Sequence, residues 1–295
     1  MPAIRKLFFA YLILLLAILA VIVGQPLAFQ KSNAISEQAK APKLTACAGG
    51  LDVQAFISSI PYRYGRQTIY QVEPAAKYKE TIIEGRGNCS NLVFASAYFL
   101  TQTDTDFQII HFLPRTQKGG FLKGAGHTVL RTRYLFNGEE RVGIVDVSSA
   151  GLPYSADKFL DLADLESGEI ANFSMLNLNP AMKHNRSSYY FGPLLSDSEI
   201  GWIPAGELRR YLDFIHAIYI PLGNVKIEKY IYDGLALISG FYPKIYVTSI
   251  PSLFDGYRLI RQFFIFSLWI LRSAILLIPL SIIFEIKLLI SRYRK

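Results

Sequence analysis

Three residues in this 295-residue chain have the types needed for covalent acyl chemistry: Cys89, His127 and Asp146. Cys89 follows Glu84-Gly85-Arg86-Gly87-Asn88 and precedes the apolar run Leu92 to Leu100. Two glycines and an asparagine break the chain, and then a helical pattern begins. That spacing predicts a thiol in the first turn of a helix. Backbone N–H groups there have no intrahelical acceptors, and the positive end of the helix dipole favours a thiolate. A thiolate is a nucleophile; a thiol hardly is. Taken alone, such a cysteine is also a common small core residue.

A base and an orienting group come from a β-hairpin. Thr128 to Phe136 is strand-like, Asn137-Gly138 has the composition of a two-residue type I′ turn, and Arg141 to Val147 is strand-like again. With Asn137 and Gly138 as the turn, Phe136 opposes Glu139, Val129 opposes Asp146 and His127 opposes Ser148. Side chains alternate along a strand, so His127, Val129, Asp146 and Ser148 share one face. His127 and Asp146 are then diagonal neighbours within side-chain reach. A carboxylate there fixes the imidazole tautomer and leaves the other nitrogen for a thiol. Asp146 stands in Ile144-Val145-Asp146-Val147, where an unpaired carboxylate is costly. His111, on an expected strand over 107–112, is the competing histidine and is equally compatible with a structural role.

The order of these motifs resembles the transglutaminase-like superfamily, with its papain-like core. Gly87-Asn88-Cys89 is similar to the nucleophile motif, Gly126-His127 to the histidine motif, and Val145-Asp146-Val147 to the aspartate motif. The similarity spans about residues 50–150. It implies an α+β fold in which a helix carrying Cys89 packs on an antiparallel sheet, with Cys89, His127 and Asp146 as a catalytic triad. It implies thioester chemistry on the amide bond of a peptide or protein: a peptidase or amidase, with a cross-linking acyltransferase as the variant that uses an amine in place of water. It also implies an oxyanion donor upstream of the cysteine, for which Gln67 and Gln71 are the nearby candidates, beside the backbone N–H of Cys89. Val129 stands where an aromatic residue is frequent in the family, Arg141-Val142-Gly143 where a tryptophan is frequent, and Asn91 where an aspartate is frequent. The alternative from a different class is an inert scaffold of this fold within an envelope or polysaccharide assembly.

The formal charge of +8 is carried by the chain ends. Setting aside Arg5 and Lys6 before residue 25, and the seven basic residues and Glu285 after residue 257, leaves 22 basic and 22 acidic residues between. A nucleic-acid partner therefore loses its electrostatic support. Leu7 to Val23 and Phe263 to Phe284 are apolar runs suited to crossing a bilayer. The first is read as an uncleaved signal anchor, a cleaved signal being the alternative. Arg5 and Lys6 precede the first run, and Arg292, Arg294 and Lys295 follow the second, so the positive-inside rule places both termini in the cytoplasm. The segment between faces outward, as in the periplasm beside a bacterial inner membrane. Arg272, in mid-span, would cost about 2.5–3.5 kcal/mol to insert. It either faces a membrane-protein partner or reaches water by tilt.

These readings divide the chain into an anchor over 1–25, a linker over 26–50, the core over 51–150, an accessory region over 151–258 that completes or covers the core, and a transmembrane helix with a basic tail over 259–295. Within the accessory region, 157–166 and 204–219 are expected helices, and 225–250 is open between strand and helix. Cys47 and Cys89 are the only cysteines, and a disulfide between them is the rival to a reactive thiol. Neither cysteines nor histidines have metal-ligand spacing, and no cofactor is expected.

Overall fold

The structure, a computed structural model, describes residues 9–10, 29–32, 50–63, 68–103, 105–114, 127–156, 158–167, 170, 172–180, 182 and 198–248, with 266, 269, 270, 272, 273, 277, 287 and 290. The chain divides into two compact units. The larger, residues 29–229 with 243–249, is α+β.

Its sheet is mixed and has seven strands: β1 (Phe29–Ser32), β2 (Leu51–Asp52), β3 (Phe107–Pro114), β4 (His127–Phe136), β5 (Glu139–Val145), β9 (Ser198–Pro204) and β10 (Ile245–Thr248). The order is β1-β10-β9-β3-β4-β2, with β5 on the other side of β4. Only β1 with β10 and β2 with β4 are parallel. A second, three-stranded sheet joins β6 (Gly151–Ser155), β7 (Lys158–Phe159) and β8 (Phe173–Asn177) in the order β7-β6-β8. The helices are α1 (Val53–Ser59), α2 (Pro74–Tyr78), α3 (Cys89–Gln102), α4 (Leu162–Ser167), α5 (Ala205–Ile218) and α6 (Val225–Ser239), the last belonging from residue 230 to the smaller unit.

The hairpin forms in the expected register. Phe136 pairs Glu139, and the ladder runs without a bulge to Leu130 opposite Val145. Asn137 and Gly138 both take positive φ, 52° and 78°, as a type I′ turn requires. The ladder stops one pair short of the site, however. Asp146 does not oppose Val129; it leaves the strand and caps a 3₁₀ turn over Val147–Ser149, closed by Ala150 at φ 52°. Ser148 lies in that turn and does not oppose His127; on the other edge of β4, His127 opposes Phe112 of β3.

The core lies on both faces of the sheet. On one, α3 packs Leu92, Val93, Ala97 and Leu100 against Phe107, Ile109, Leu130, Tyr134 and Ile203. Most positions of α3 are buried, and the half-buried Ser90, Phe94, Tyr98 and Thr101 form one stripe at helical spacing. Full burial of each Leu or Val contributes roughly 1.5–3 kcal/mol. On the other face, Ile110, Phe112, Val129, Ile144 and Trp202 meet Leu160, Leu162 and Leu165. β4 is buried on both sides, so its polar residues need partners. Arg131 finds one in Asp161, held at 2.5 and 2.8 Å in a bidentate pair.

The accessory region completes the sheet: β9 inserts beside β3, and β10 follows it. Of the expected helix over 157–166, the first residues form β7 and the rest α4, and the helix expected over 204–219 is α5. The open stretch 225–250 contains both α6 and β10. Within the expected linker, Phe29–Ser32 is not tether but a strand paired with β10.

In the smaller unit, Arg272 Nε donates to the Ile238 carbonyl at 3.0 Å, which gives that guanidinium an acceptor within the chain. Most of the two apolar runs lies outside the described residues. Among the described residues no helix is long and apolar enough to cross a membrane.

Candidate active site

Cys89 is the first residue of α3, and the local sequence builds that helix start. Asn88 is the N-cap: its Oδ1 accepts from Asn91 N at 2.9 Å, while Asn91 Oδ1 accepts from Asn88 N at 3.3 Å. This is a capping box made by two asparagines. Asn91 is buried and does more than cap. Its Oδ1 also accepts from Ile69 N at 3.0 Å, and its Nδ2 donates to Ile69 O at 3.2 Å. One amide thus ties the segment 68–70 to the start of the cysteine helix.

The two glycines before the helix are required by space as well as conformation. Gly87, at φ 108°, lies so close to Asn91 that a Cβ would stand 2.8 Å from the Asn91 Cβ. Gly85, at φ 70°, would bring a Cβ to 2.6 Å from the Tyr62 backbone nitrogen. Tyr62 in turn donates its hydroxyl to the Val147 carbonyl at 2.6 Å, one residue past Asp146. The loops before Cys89 and after Asp146 are therefore fastened through one tyrosine.

His127 and Asp146 are both fully buried, and His127 Nε2 meets Asp146 Oδ2 at 2.8 Å. The other carboxylate oxygen accepts from Ser148 Oγ at 3.0 Å and from Ser149 N at 2.9 Å. Three donors converge on Asp146, and such a set favours its ionised form. The Phe112 ring stacks on the imidazole, with centroids 6.1 Å apart and planes 12° from parallel. With Nε2 committed to Asp146, Nδ1 is the nitrogen left for the thiol, and Cys89 lies close enough to the imidazole to favour its charged form. Burial alone would lower the His127 pKa. The Asp146 charge and hydrogen bond, followed by Cys89, overcome it and raise the pKa to about 9. Cys89 is a thiol, 9% exposed, while the other two are shut off from solvent. Of the three, only Cys89 keeps any exposed surface.

His111 is elsewhere. Its Nδ1 lies 3.1 Å from Thr128 Oγ1, its ring sits 6.2 Å from that of Phe94, and Nε2 has no hydrogen-bond partner. Burial lowers its pKa to about 4, so it is neutral at ordinary pH. Gln71 is half-buried, two residues beyond the Ile69 that Asn91 holds. Gln67 and Cys47 lie outside the described residues. Among the described residues no cluster of three or more His, Cys, Asp or Glu could hold a metal ion.

The arrangement brings together all three residues singled out from the sequence. The sequence reading missed the second role of Asn91, the Tyr62 fastening and the Ser149 amide. Only the Asn88-x-x-Asn91 spacing carries a visible signal for any of them. No family model matches the chain, and no curated protein or solved structure is significantly similar to it.

Proposed function

We propose that the protein is a cysteine hydrolase or acyl transferase of transglutaminase-like type, acting on amide bonds of a peptide or protein. The observation that carries this reading is one buried imidazole bound to a carboxylate that accepts three hydrogen bonds and set beside a thiol at a helix start. A papain-like core fits it: the nucleophile sits on a helix, the base at a strand start, and the orienting carboxylate just past the adjacent strand.

Each step of the chemistry has an atom in place. The helix start and the adjacent imidazolium favour a Cys89 thiolate. The sulfur attacks the carbonyl carbon, and the electron pair moves to oxygen. Cys89 N–H, in the first turn of α3 where amides lack intrahelical acceptors, is suited to that oxyanion. His127 gives its proton to the departing amine, the C–N bond breaks, and a thioester remains. The neutral imidazole then takes a proton from water, hydroxide adds to the thioester, and the thiolate leaves as the carboxylic acid forms. An amine in place of water gives transfer. Hydrolysis is the preferred outcome, since water needs no second binding site. Asp146 keeps the ring oriented and stabilises its charged form throughout.

The same proposal places the domain outside a bacterial inner membrane, held by the apolar runs 7–23 and 263–284, with Arg272 available to a membrane-protein partner. The test is alkylation of Cys89 by iodoacetamide across pH. The thiol should react well below the usual cysteine pKa of about 8.5, and His127→Ala should abolish that low-pH reactivity. A thiol that reacts only near its ordinary pKa, or one found disulfide-bonded to Cys47, would defeat the enzyme reading and leave the scaffold.

A further inference from the structure

The connection between α5 and α6 is built as a rigid turn with apolar side chains on its outside. Ile220, Leu222, Val225 and Ile227 are between 40 and 67% exposed. Four large aliphatic side chains within eight residues are a costly display for a surface that meets only water.

The turn does not owe its shape to these residues. Glu228 is almost fully buried beneath them, where its carboxylate accepts from the Tyr219 hydroxyl at 3.0 Å and from Leu222 N at 2.8 Å. Asn224 caps α6, its Oδ1 accepting from Lys226 N at 3.1 Å and Ile227 N at 3.2 Å. Gly223 takes φ 81° with open space around it. A buried acid, a cap and a left-handed glycine thus fix the backbone from within, and the aliphatic side chains are left facing out. The one acid of the segment is used up inside. The charges that remain near the surface are Lys226 and Lys229. Lys226 lies 5.6 Å from the centre of the Tyr70 ring, next to Ile69 in the segment that Asn91 ties to the cysteine helix.

We infer that this turn, residues 220–227, is a membrane-docking tip that seats its aliphatic side chains at the headgroup–acyl boundary of a bilayer. Preorganised apolar side chains with Lys226 among them and Lys229 just beyond suit that boundary, since lysine stems bury along the acyl region while their ammonium groups stay with anionic headgroups. A protein partner would be expected to ask for directional polar groups as well, and the outer side of the tip offers little besides lysine. The sequence supplies the bilayer: apolar runs flanked by basic residues stand at both ends of the chain. The inference rests on that membrane reading and not on the triad.

The test uses the full chain in vesicles of phosphatidylethanolamine and phosphatidylglycerol, with an environment-sensitive fluorescent amino acid at Leu222. A second preparation carries it at Glu139, an exposed residue of the β4–β5 hairpin. The Leu222 reporter should emit to the blue of the Glu139 reporter and be quenched by bromine-labelled lipid chains. Moving the reporter to Val225 and introducing Ile220→Ser and Leu222→Ser should remove most of that quenching, while Cys89→Ala should leave it unchanged. Water-like emission at Leu222 without quenching overturns the inference. So does a blue shift that lipid bromines do not quench, which would identify a protein surface as the occupant. Because Cys89→Ala leaves the readout alone, failure here and failure of the enzyme proposal are separate results.

Discussion

His111 and His127 stand on neighbouring strands, one pairing step apart: His111 opposes Thr128, and His127 opposes Phe112. Alternation along the strands turns them to opposite faces of the sheet. Each packs beside a phenylalanine, His111 by Phe94 and His127 by Phe112. Burial works in the same direction on both, against the charged ring. At His111 nothing opposes it, and the pKa falls to about 4. At His127 a carboxylate and a sulfur oppose it, and the pKa rises to about 9. The comparison teaches that enclosure alone makes a histidine inert. A partner enclosed with it is what turns the imidazole into a cation able to hold a thiolate.

The largest test of that difference is deletion of each ring. His127→Ala should lower the rate of thiol alkylation at mildly acidic pH, and any turnover, by about a thousandfold or more, as loss of a triad member does. His111→Asn should leave both unchanged, because its ring touches neither the sulfur nor Asp146 in the network described. Comparable losses in the two variants would end the distinction. Asp146→Asn is the next largest. It keeps a side chain of the same shape but removes the charge that holds up the His127 pKa. The alkaline limit of thiolate–imidazolium pairing should drop from about 9 toward or below the ordinary histidine value, followed by the ultraviolet absorbance of the thiolate. Turnover should fall by about 10²–10⁴. An unmoved alkaline limit would mean that Asp146 only orients.

A smaller effect is visible in stability, with opposite signs at the two rings. His127 binds its proton more tightly folded than unfolded. Its contribution is complete below the unfolded pKa of about 6.5 and is lost as pH rises from there through about 9. His111 binds its proton less tightly when folded. Its contribution is complete above about 6.5 and is lost as pH falls from there through about 4. The measurement is thermal unfolding of the Cys89→Ala chain in detergent, where the sulfur no longer titrates. Removing the sulfur also removes its share of the His127 shift, so the alkaline loss should finish somewhat below 9. Adding His111→Asn should flatten only the acid side, and adding His127→Asn only the alkaline side. Flattening on the wrong side would refute the assignment.

Much of this comparison was legible before any coordinates. Asn137-Gly138 fixed the register, the register put His127 and Asp146 within reach, and the glycines before Cys89 marked the helix start. These are local signals, each carried by a turn or a cap within a few residues. The last step was not legible. Nothing in Val145-Asp146-Val147 says that the strand stops at Val145, because the Asp146 turn is held by Gly151 and by Tyr62, which is distant in sequence. The accessory region was unreadable for the same reason. β9 lies in a central sheet position, so its residues follow neighbours on β3 and β10 and not a period of their own. His111 could be separated from His127 only through its partners. Both are histidines on buried strands, and no spacing reveals which face holds a carboxylate.

Asn91→Asp offers the finest test, because it adds a carboxylate on the Cys89 side of the comparison alone. Asn91 now gives one hydrogen bond through Nδ2 to Ile69 O, and an ionised aspartate cannot. Loss of that bond costs roughly 1 kcal/mol, with more if the carbonyl is left buried and unpaired. A negative charge in the first turn of α3 returns about 0.3–1 kcal/mol through the helix dipole. Asn91 is buried, so its carboxylate is also costly to desolvate, and the unfolding midpoint should fall. Reactivity should move too, because a like charge two residues from Cys89 disfavours the thiolate. The midpoint of the iodoacetamide profile should shift to higher pH. A midpoint that stays in place would show that charge at this cap does not reach the sulfur, and that the Cys89 side of the comparison is set by His127 and Asp146.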